Sequence, residues 1–140
     1  MTNRLCRLPE HDLILHVVTG THTGAEAIEF FRGLDATCAM RWLSYFDPTA
    51  ELSQLDVASL PVLKQVIAEK RTELFGDKPK AHLIVAASEA TARQFRFWRQ
   101  YFGHGDENAV RIFRSLDEAY DWLGLPKEGR AAVTRAVERP

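Results

Sequence analysis

The stretch AHLIVAASEATARQF, residues 81–95, decides the fold. Its first half is an almost unbroken apolar run, too short for a core helix and lacking the alternation of a one-sided strand. Such a run fits a strand covered on both faces, as at the centre of a parallel sheet. Ser88 then stands where a helix N-cap belongs. In EATARQFRFWRQYF, residues 89–102, a turn of about 100° per residue puts Ala92, Phe95, Trp98 and Phe102 on one face, and Gly103 ends the pattern. Strand followed by amphipathic helix is the repeating half of an α/β protein.

The same unit recurs on either side. Upstream, DLILHVVTG (12–20) is a second buried strand closed by Gly20, and THTGAEAIEFFRGL (21–34) is its helix. Thr23 and Glu26 have capping-box spacing, and Ala27, Ile28, Phe31 and Leu34 make an apolar stripe. MRWLSYF (40–46) is a strand with Trp42, Ser44 and Phe46 on one side, ended by the turn signal DPT. After the loop AELSQLDVAS (50–59), Val62, Leu63, Val66, Ile67 and Leu74 mark a helix stopped by Gly76 and Pro79. Downstream, AVRIF (109–113) is the last strand. SLDEAYDWLGLP (115–126) is a short helix with a Ser115–Glu118 capping box, a left-handed Gly124 cap and Pro126 to block continuation. At the N-terminus, RLCRL (4–8) and the turn PEH predict an edge strand hairpinned onto the first long one. The order is β-β-α-β-α-β-α-β-α, a mixed, mainly parallel sheet of about five strands with helices packed on it. Residues 1–126 form one domain, and the tail 127–140 either forms a last helix or frays.

Composition narrows the functional classes. The chain has 140 residues, 46% hydrophobic and 26% charged, with a formal net charge of −1. That is ordinary for a soluble globular domain and gives no global field toward nucleic acid or an anionic membrane. Cys6 and Cys38 make neither a CxxC nor a ligand cluster, which points to a reduced, cytoplasmic setting. No apolar run reaches the roughly 20 residues of a membrane span. His11, His16, His82 and His104 share no metal-ligand spacing, and neither GxGxxG nor GxxxxGK[ST] is present, so no metal or cofactor is expected.

Three segments carry a resemblance: LPEHDLILHVVTGTHTGAEA, LDVASLPVLKQ and VRIFRSLDEAYDWLGL. With the element order, they resemble the SpoIIAA-like proteins of the STAS superfamily, relatives of anti-anti-sigma factors, and are similar to CRAL-TRIO lipid-binding domains. The resemblance covers about residues 5–126 and implies a STAS-like domain. It also implies a recognition loop at Asp56, Ala58 and Ser59. The family motif Asp-Ser-Ser-Gly-Leu-Gly falls on residues 56–61, with Asp56 and Leu60 matching. The phosphoacceptor position is occupied by Ala58, and Ser59 stands one residue later, where the family has glycine. Before Pro61, Ser59 is better suited to capping a helix than to carrying a phosphate switch.

Two further groups of residues merit attention. His22, Asp47 and Ser88 each follow a strand's C-terminal end, the edge where open α/β sheets bind ligands. As a hydrolase triad they lack the Gly-x-Ser-x-Gly elbow, and Asp47 and Ser88 have turn and cap duties. Arg93, Arg96, Phe97 and Tyr101 lie off the apolar face of their helix and suit a protein contact or self-association better than a nucleic-acid surface. The expectation is a non-enzymatic binding or regulatory module. A small-molecule or lipid carrier using Phe30, Phe31, Trp42, Phe95 and Trp98, and a small hydrolase, are the alternatives.

Overall fold

The computed structural model describes residues 2–34, 41–55, 57–75, 81–102 and 110–139. A five-stranded sheet runs in sequence order: β1 (Thr2–Leu8), β2 (Leu13–Thr19), β3 (Arg41–Phe46), β4 (Ala81–Ala86) and β5 (Val110–Phe113). β1 is antiparallel to β2 and every later pair is parallel. The helices are α1 (Gly24–Arg32), α2 (Leu60–Phe75), α3 (Glu89–Phe102), α4 (Leu116–Leu123) and α5 (Lys127–Glu138). The expected α/β class, mixed sheet and element order are present. PEH is a single 3-10 turn, closed by Asp12 in the left-handed region at φ 51°.

Consecutive strand order explains the layering. Crossovers of one hand that advance in one direction all land on the same face of the sheet. Accordingly α1, α2 and α3 share a face, packing Ile14, Trp42, Val18, Phe46 and Ile84 against Phe30, Phe31, Leu60, Phe95 and Trp98. The opposite face would be bare. After β5, α4 and α5 fold back over it, burying Leu13, Leu15, Val17, Leu43, Leu83 and Val85 under Ala119, Tyr120, Leu123, Val133 and Ala136. Residues 127–138 are therefore a docked helix. Gly129 permits the approach: a Cβ there would stand 3.1 Å from the His11 ring.

Local signals set the helix ends. Thr23 Oγ1 accepts the Glu26 N–H, and Ser115 Oγ accepts the Glu118 N–H, completing both expected N-caps. Ser88 Oγ accepts the Thr91 N–H at the start of α3. Gly124 closes α4 at φ 65°. At the amino edge of the sheet, Arg41 donates to the backbone carbonyls of His11, Asp12 and Leu123, locking the first turn, β3 and the end of α4 together.

Candidate functional site

The carboxyl edge of the sheet collects the loops after β2, β3 and β4, and with them His22, Asp47 and Ser88. Gly20 turns the chain out of β2 at φ 77°. The segment then continues beside the next loop: Glu51 N–H donates to Gly20 O at 2.9 Å and His22 N–H to Glu51 O at 2.8 Å. Asp47 Oδ1 accepts both the N–H and the hydroxyl of Thr49, and Thr49 Oγ1 accepts the Gly20 N–H. Thr91, one turn into α3, donates its buried hydroxyl to Ala50 O. Asp47 is thus the turn former its Asp-Pro sequence suggests, and Ser88 is a helix cap. Neither side chain is hydrogen-bonded to His22, so the three residues share an edge without forming a nucleophile–base–orienter relay.

His22 differs from the other two. It is buried, its backbone is satisfied, and its Nδ1 has no hydrogen-bond partner. Burial lowers its pKa from the ordinary histidine value, while the Glu26 carboxylate acts in the opposite direction. It lies close enough to be felt electrostatically by His16, the centre of an interior group that sequence patterns did not assemble. Trp42 Nε1–H donates to Ser44 Oγ at 2.7 Å, Ser44 lies 3.0 Å from His16 Nδ1, and His16 Nε2 lies 2.9 Å from Asn3 Oδ1. One proton arrangement satisfies every atom in this chain: Ser44 donates to Nδ1, and Nε2–H donates to the Asn3 carbonyl. His16 stacks on Phe30 at 4.6 Å, with Phe31, Trp42 and Phe46 edge-on around it. Its pKa falls to about 3, first through burial and then through His22 and His82, so the ring is neutral. Ser, His and Asn here resemble a catalytic relay in connectivity. Ser44 and His16 are only 3% and 2% exposed, however, so the arrangement is an interior polar brace.

The surface residues fall elsewhere. Ala58 is exposed and Ser59 half-buried in the 3-10 turn Val57–Ser59, immediately before α2, with Pro61 in the first turn. Asp56 lies outside the described residues. On α3, Trp98 and Ala92 face the core while Phe97 is 71% exposed. Arg93 and Arg96 are also exposed, and Arg96 pairs with Glu89 at 3.2 Å. Arg114 pairs with the same Glu89. The side chain of Tyr101 lies outside the described residues.

Among the described residues no group of histidine, cysteine and acidic side chains could hold a metal ion, and no helix is long and apolar enough to cross a membrane. No protein-family model matches the chain, and comparisons with curated proteins and with solved structures return no match.

Proposed function

We propose that this chain is a STAS-like binding module that works through protein–protein contacts, without the phosphoacceptor serine of the anti-anti-sigma factors. The single observation that carries this reading is Phe97. It is the most exposed of the large apolar side chains among the described residues, set on a helix whose Phe95 and Trp98 are used in the core. Aromatic and arginine side chains together are the composition of interface centres. Arg93 and Arg96 beside Phe97 give α3 that character. The element order supports the STAS-like part of the proposal, and Ala58 in place of a hydroxyl supports the loss of the switch.

The carrier alternative draws on the aromatic supply of the α1–α3 layer. Those rings are in contact with one another and with the sheet: Phe31 with Trp42, Phe46 with Phe95, Phe95 with Trp98. They act as packing, which favours the binding module. A photoreactive phenylalanine analogue at position 97 tests the reading in the protein's own cells. The expected result is a crosslink to a second polypeptide that the same analogue at exposed Arg32 on α1 does not give. Equal labelling from both positions would contradict it.

A further inference from the structure

Arg111 is an unfinished interaction. It lies on β5, on the side that α4 covers, with its guanidinium carbon 5.0 Å over the Trp122 ring. Its Nε is buried and has no hydrogen-bond partner, and none of the ion pairs among the described residues includes it. The terminal guanidinium nitrogens are not among the buried unpaired atoms and make no hydrogen bond or ion pair among the described residues, so the head is open to an acceptor from outside the chain. Trp122, which it stacks on, is 42% exposed.

The neighbouring groups indicate what that acceptor is. Glu118 lies one turn before Trp122 on the same side of α4. Its partners within the chain are the Ser115 cap contacts, which leave one carboxylate oxygen uncommitted. The patch therefore presents an unpaired cation, an exposed aromatic ring and an available carboxylate side by side. It is complementary to itself, as a two-fold interface requires. β5 is also an edge strand, bonded only to β4. The other edge, β1, differs: Arg4 is used on the carbonyls of Ala136 and Val137, and no large apolar side chain described there is exposed.

We propose that a second copy of this chain docks on this edge. The β5 strands pair antiparallel about a two-fold axis normal to the sheet, and Arg111 of each copy meets Glu118 of the other. Such an axis leaves both α4 helices on one side of a continuous sheet. Because α4 packs over β4 and β5, the two helices stand two strand spacings apart, about 9.6 Å. Packed helices lie about 8–10 Å apart. Both Trp122 rings and both guanidinium groups then close into the seam. α3 packs over the same two strands on the other face, so its two copies stand at the same spacing there; the contact proposed here is the one on the α4 side, between Arg111 and Glu118.

Sedimentation velocity on the full chain tests the proposal, with circular dichroism to confirm folding. Wild type and Phe97→Asp are expected to be dimers. Arg111→Glu and Glu118→Arg, each placing like charges in contact, are expected to be monomers. An equimolar mixture of those two variants restores opposite charges at both contacts and is expected to recover a dimer. A monomeric wild type, a dimer that survives Arg111→Glu, or a mixture that stays monomeric would each overturn it. A dimer dissolved by Phe97→Asp alone would instead assign self-association to α3.

Discussion

His16 shows what one residue does to this protein's response to acid. Its ring is held neutral, with the folded pKa near 3 against 6.5 for an ordinary histidine. Below pH 6.5 the unfolded chain takes up a proton that the folded chain refuses. Stability is therefore complete above that value and is lost as pH falls toward 3, at about 1.4 kcal/mol per pH unit from this group. His22 adds to the loss in the same direction. Urea unfolding between pH 7 and pH 4 is expected to show a shallower loss for His16→Gln than for wild type. That variant is also expected to be less stable at pH 7, by about 1–3 kcal/mol, because Ser44 and Asn3 each lose one hydrogen bond. Equal slopes would mean that His16 is not buried as a neutral ring. The strand positions of Trp42 and Ser44 were legible in the sequence through period-two alternation, and that of His16 through its apolar run. Their meeting was not, because the network joins three strands through lateral register, which no local pattern encodes. Arg41 was hidden for the same reason: its acceptors are backbone carbonyls of distant segments.

At the scale of elements, the sequence was most informative where a helix end has its own chemistry. Thr23, Ser88, Ser115 and Gly124 perform the capping roles that their spacing suggests. The C-terminal segment was harder to read. KEGRAAVTRAVERP has a small, weak apolar stripe and carries a glycine, Gly129, in its first turn, where helix propensity is poor. It becomes α5 because β2, β3 and β4 leave a face that only segments after β5 can cover, and Val133 and Ala136 cover it. Gly129 matters for how close the helix comes, since the His11 ring occupies the place of a side chain. Gly129→Leu is expected to cost about 1–3 kcal/mol by overpacking. The double variant with His11→Ala should recover a large part of that loss, a coupling readable in a denaturation cycle. Additive losses would place α5 elsewhere.

For the whole molecule, both faces of the sheet are covered and the exposed aromatic side chains are few: Phe97 on α3 and Trp122 on α4 among the described residues. They lie on different helices, one on the proposed partner surface and the other at the proposed seam between copies. The off-face position of Phe97 was visible from helical periodicity alone. The Arg111–Trp122 pair was not, since it depends on where α4 settles against the edge strand. His22, Asp47 and Ser88 gather at one edge as the alternation implies, yet their bonds go to turns, caps and backbone. The central claim is that the chain acts by binding protein, without chemistry of its own or a small cargo. Native mass spectrometry of the chain isolated from its own cells tests that most directly. The account predicts masses of the unmodified chain in complexes with itself or a second polypeptide. A bare monomer, a retained small molecule, or a phosphate adduct on Ser59 would contradict it.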